Sequence, residues 1–152
     1  MKYTILSMMM AWNLILAGLP LFAAEASAGL EVAELSREKP VDFTREILPI
    51  LRKNCLACHN TRDAEGELNL ETPATIAKGG ESGVMVVPGN ADKSRLMAHI
   101  RQVEKPFMPP RRNKVSAERL TPHQLGLIRL WIDEGATGEV PLVLSLIHIS
   151  EP

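Results

Sequence analysis

Apolar residues recur at helical spacing in three stretches of the chain, and no strand-length alternation occurs before residue 140. In the first stretch Phe43, Ile47, Ile50 and Leu51 share one face, with Asp42 or Thr44 as cap and an end near Lys53. Pro49 falls inside that pattern. It removes a backbone donor and clashes one turn back, so the spacing predicts a regular helix from about Leu48, with Pro49 in its first turn and a looser turn before it. In the second stretch Asn90 caps a helix from Ala91 to about Gln102, with Leu96, Met97 and Ile100 as its apolar stripe. The third carries the clearest local signal. Thr121-Pro122-His123-Gln124 reads as a capping box with proline at the first helical position, followed by Leu125, Ile128, Trp131 and Ile132, and stopped by Gly135. A shorter helical segment is predicted over Pro73 to Lys78, ended by Gly79-Gly80, and Val84 to Val87 reads as extended. Residues 60–72 form a polar loop holding Leu68-Asn69-Leu70, and residues 103–120 a proline-rich basic loop. The expected fold class is all-α.

The two ends depart from this pattern. Residues 1–28 read as a signal peptide: Lys2, a mostly apolar run from Ile5 to Phe22, and Ala26-Ser27-Ala28 or Ala24-Glu25-Ala26 as cleavage site. The expected location is outside the cytoplasm, in a bacterial periplasm or at the cell surface, with no membrane span after cleavage. Residues 29–41, polar and containing Pro40, read as a linker, and residues 42–138 as one domain. Residues 139–152 turn abruptly apolar. They read either as the start of a further domain or as translated adapter read-through, which Leu144 to Pro152 resembles, so His148 is given no role.

Composition adds a constraint. The chain has 152 residues, a formal net charge of −1 and 45% hydrophobic residues, which excludes a disordered chain and argues against a nucleic-acid binder. Past the leader only Phe43, Phe107 and Trp131 are aromatic. Three aromatic side chains are few for such a core, and a bound planar group would help to fill it.

The cysteines supply the candidate chemistry. Cys55-Leu56-Ala57-Cys58-His59 contains both of them. Zinc needs two more ligands, and His99 and His123 have no standard finger spacing. A redox dithiol sits between a strand and a helix, whereas this motif closes an apolar helix. The directly following His59 points to covalent haem. Each thiol adds across one vinyl group, two intervening residues match the spacing of the vinyls, and the adjacent imidazole meets the iron. Export fits that attachment. The other face of the iron then has several candidates: Met85, Met97, Met108, His99 and His123. Met97 on an apolar stripe reads as core, and His123 in a first helical turn as solvent-facing. Met108 lies between prolines in Lys105-Pro106-Phe107-Met108-Pro109-Pro110, a stiff loop able to hold a sulfur in place, and is the expected sixth ligand.

These residues resemble a class I cytochrome c domain. Leu68-Asn69-Leu70, Gly79-Gly80, Val87-Pro88-Gly89, Ser94, Met108-Pro109-Pro110 and Trp131-Ile132-Asp133-Glu134-Gly135-Ala136 extend the resemblance to the planctomycete-type cytochrome c domain over about residues 42–138. It implies a small cytochrome c fold, with first and last helices packed together beside one covalent haem c, His59 and Met108 as axial pair, and a frequent downstream partner module such as a WD-repeat propeller. Leu51, Leu96, Ile100, Phe107, Leu125, Ile128 and Trp131 are the pocket candidates. The expected function is one-electron transfer rather than catalysis. A peroxidase-like haem enzyme or sensor with a labile sixth ligand, and a thiol–disulfide oxidoreductase, are the rivals. Lys105, Arg111, Arg112 and Lys114 make the loop around Met108 basic and are candidates for docking a redox partner protein.

Overall fold

The computed structural model describes residues 29–138. Residues 1–28 and 139–152, and the readings attached to them, lie outside these residues. Four α-helices follow in order: α1 (Leu48–Asn54), α2 (Pro73–Lys78), α3 (Arg95–Ile100) and α4 (Pro122–Asp133). Among the described residues there is no strand, only isolated antiparallel bridges at His59–Ala64 and Gly80–Gly83. The fold is all-α, and no described helix is long and apolar enough to cross a membrane.

Pro49 shapes the start of α1. The preceding turn, Phe43–Ile47, is a wide π-type turn in which the Leu48 N–H donates to Phe43 O. That widening absorbs the lost donor and the steric demand of the ring, so α1 can start with proline in its first turn. Asp42 caps the turn by accepting from Arg45 N at 3.0 Å, and Glu46 reaches back to Asp42 N at 2.9 Å. At the other end, Thr121 and Gln124 form the expected capping box of α4, at 3.2 and 2.9 Å. Helix α4 buries Leu125, Gly126, Leu127, Ile128, Trp131 and Ile132. The turn ahead of α1 packs on this face, with the Phe43 and Trp131 rings 5.4 Å apart. Trp131 Nε1 donates to Thr137 O at 2.7 Å, so its one polar atom is satisfied.

Two expectations are corrected. The helix over 91–102 is broken at Ser94, which is extended and buried. Its hydroxyl donates to Asn90 O at 2.9 Å and accepts from Val87 N at 2.8 Å. These bonds to the backbone compete with a continuous helix and leave a 3-10 turn, Ala91–Lys93, followed by the short α3. The segment 29–41, read as a linker, is a strap packed on the domain. Leu30, Val32 and Leu35 pack against the core. Leu30 N donates to Arg101 O at 2.7 Å, Ala33 N to Pro122 O at 3.0 Å, and Arg37 pairs with Glu46 at 2.6 Å. A side chain at Gly126 would strike the Ala33 carbonyl, so the strap lies directly on α4. The Arg37 hydrogen bond holds the Glu46 carboxyl below its ordinary range.

Candidate functional site

Helix α1 ends in the cysteine motif. Its last residue, the buried Asn54, donates to Ile50 O at 3.2 Å and accepts from Glu118 N at 3.1 Å, tying α1 to the loop ahead of α4. The chain then turns tightly. Cys55 N donates to Leu51 O at 2.7 Å, and His59 N to Cys55 O at 3.0 Å. The turn brings Cys55, Cys58 and His59 onto one cavity of about 710 Å3, within the roughly 300–1,000 Å3 usual for cofactor sites.

The cavity is lined by a segment from Asn54 to Leu70 and another from Arg95 to Ala117, with Gly80, Ser82 and Met85 between them in sequence. His59 comes from the first segment. Its Nδ1 lies 3.1 Å from Glu65 O, and Glu65 N donates to Cys58 O at 3.0 Å. A carbonyl oxygen only accepts, so Nδ1 carries a hydrogen, and in the neutral ring the lone pair is on Nε2. Ligating imidazoles are held in this state by a backbone partner. Met108 comes from the second segment. Its N–H donates to His99 O at 3.2 Å, and Gln102 Nε2 donates to Met108 O at 2.8 Å. Asn113 braces the basic loop, accepting from Ala117 N at 2.9 Å and donating to Pro110 O at 2.8 Å.

Burial pushes the Cys55 thiol up to about 12, with the neighbouring Cys58 adding to the shift; burial, then Glu65 and Asp63, also raises Cys58. A thiol shifted this way is mostly unionised at neutral pH, the opposite of an activated redox cysteine. The two cysteines form no disulfide.

The pocket candidates divide. Leu96 and Ile100 line the cavity, whereas Leu51, Leu125, Ile128 and Trp131 do not. Those four are buried in the hydrophobic core instead. Phe107, 40% exposed, also lies off the cavity and points to solvent beside its proline neighbours. Met85 and His99 line the cavity, Met97 is buried elsewhere in the core, and His123 is exposed. Leu68 and Leu70 belong to the lining and were overlooked; their signal was an isolated leucine pair inside a polar loop. Of the basic residues, Arg112 and Lys114 line the cavity, with Lys105 and Arg111 exposed beside it. Among the described residues none of these four is in an ion pair, and no cluster of His, Cys, Asp and Glu forms a conventional metal site.

The lining fits a covalent haem on its donor chemistry: the thiols of Cys55 and Cys58, the imidazoles of His59 and His99, the thioethers of Met85 and Met108, and otherwise largely apolar walls. Residues 55–112 match the family model described as Planctomycete cytochrome C. No curated protein matches the chain. Among solved structures, hydrazine synthase from Kuenenia stuttgartiensis is similar over 67% of this chain, at 22% identity and a TM-score of 0.43; the chain spans 17% of that protein's length.

Proposed function

We propose that this chain, whose residues 55–112 are a planctomycete-type cytochrome c segment, is an exported one-electron carrier with a single haem c. The observation that carries the reading is the convergence of Cys55, Cys58, His59 and Met108 on one cavity. Cys55 and Cys58 would hold the haem through two thioethers. His59, its Nδ1–H fixed on Glu65 O, would present Nε2 to the iron. Met108 would present its sulfur from a loop braced by Gln102 and Asn113. Leu68, Leu70, Leu96 and Ile100 would exclude water from the ring faces. Bound haem supplies the one-electron chemistry, and thioether ligation sets its potential above that of a bis-imidazole site.

The oxidoreductase reading loses support from Cys55, whose burial suppresses the thiolate that such chemistry needs. A redox titration of protein made with a haem c maturation system tests the carrier reading. A reversible one-electron wave, with no carbon monoxide binding to the reduced form, is expected. Ready binding of carbon monoxide would favour the haem enzyme or sensor instead. His59→Ala is expected to abolish stable holoprotein.

A further inference from the structure

Two imidazoles line the cavity, each with Nδ1 against a backbone carbonyl. His99 Nδ1 lies 3.2 Å from Glu104 O, as His59 Nδ1 lies 3.1 Å from Glu65 O. Each ring therefore carries a hydrogen on Nδ1, and in its neutral form the lone pair is on Nε2. The cysteine motif accounts for His59. Nothing in the motif accounts for His99.

His99 sits in the last turn of α3, is 5% exposed and lines the cavity. Its Nε2 makes no hydrogen bond among the described residues, yet it is not a sealed-off polar atom. Met108 is fixed on the same wall by its bond to His99 O. A thioether and a metal-ready imidazole are thus neighbours on the segment facing the haem space.

We propose that His99 is a second protein ligand for the iron, taking the Met108 position through Nε2 when the sulfur leaves. The proposal rests on the haem c reading above. The exchange balances simply: the iron–sulfur bond to Met108 breaks and an iron–nitrogen bond to His99 forms. No electron moves, and the neutral Nδ1–H ring binds through its Nε2 lone pair without releasing a proton. Replacing thioether by imidazole lowers the potential, so one wall holds both a high-potential and a low-potential ligand.

The test uses ferric holoprotein, read by electron paramagnetic resonance and optical spectra. Met108→Leu keeps the side chain's bulk while removing the sulfur. It is expected to lose the weak far-red sulfur–iron band completely, to stay low-spin, and to have a lower potential. Adding His99→Ala is expected to convert it to a high-spin, water-ligated form, which added imidazole returns to low spin. A high-spin Met108→Leu single variant would overturn the proposal. So would a double variant that stays low-spin without imidazole. If the parent lacks the sulfur band and His99→Ala alone makes it high-spin, the Met108 reading fails while His99 stands as ligand. Met108→Ala, with and without His99→Ala, repeats the comparison should the leucine variant mature poorly.

Discussion

Asn54 shows how one side chain positions the site. It closes α1 through Ile50 O and receives Glu118 N from a loop 64 residues away, immediately before the cysteine turn. Asn54→Leu leaves the Glu118 donor and the Ile50 acceptor without this partner. A loss of about 0.5–1.5 kcal/mol is expected, the net worth of a typical hydrogen bond whose donor is only part-buried. Denaturant unfolding of the holoprotein measures it, and an unchanged midpoint would show that the bridge carries no stability. The residue scale was also where the sequence was most legible. The chemistry of Cys55, Cys58 and His59 is local, set by spacing within five residues. The surroundings of Leu51, Leu125, Ile128 and Trp131 are not. Periodicity marks them as buried, but whether a buried face meets a cavity or another helix depends on packing that no single stretch encodes.

Among the elements, those with strong local punctuation were legible. Thr121-Pro122-His123-Gln124 starts α4 by satisfying orphan N–H groups within its own turn, and Pro49 sets the start of α1. Ser94 was harder, because one of the two bonds that hold its hydroxyl out of a continuous helix comes from Val87, seven residues back. The strap over 29–41 reads as a linker because it is polar and contains Pro40; its few apolar residues, Leu30, Val32 and Leu35, find their partner surface only in the folded core. Gly126 tests that docking by sign. Alanine in a helix interior ordinarily stabilises by about 1 kcal/mol relative to glycine. Here the added carbon would strike the Ala33 carbonyl, so Gly126→Ala is expected to destabilise by about 1–3 kcal/mol, as overpacking does. Thermal or denaturant unfolding decides it, and a stabilised variant would mean the strap is not held on α4.

At the scale of the whole molecule, charge is arranged unevenly although its sum is only −1. Lys105, Arg111, Arg112 and Lys114 crowd the side where Met108 lines the cavity, with no ion-pair partner among the described residues. Such a patch is expected to steer an acidic redox partner toward the haem edge. Lys105→Glu with Arg111→Glu changes that field without touching the cavity lining. Electron exchange with an anionic partner is expected to slow at least several-fold at low salt, with the optical spectrum unchanged. The difference should fade as salt shortens the screening length to about 8 Å near physiological ionic strength. Equal rates at low salt would leave the loop with no steering role.

All of this rests on covalent haem at Cys55 and Cys58, and the intact mass of denatured protein tests that most directly. Produced in a host with haem c maturation machinery and extracted with acid acetone, the polypeptide is expected to keep its colour. Its mass should exceed that of the processed chain by one haem, with neither cysteine open to alkylation. A colourless polypeptide at its bare mass, with two alkylatable thiols, would contradict the account.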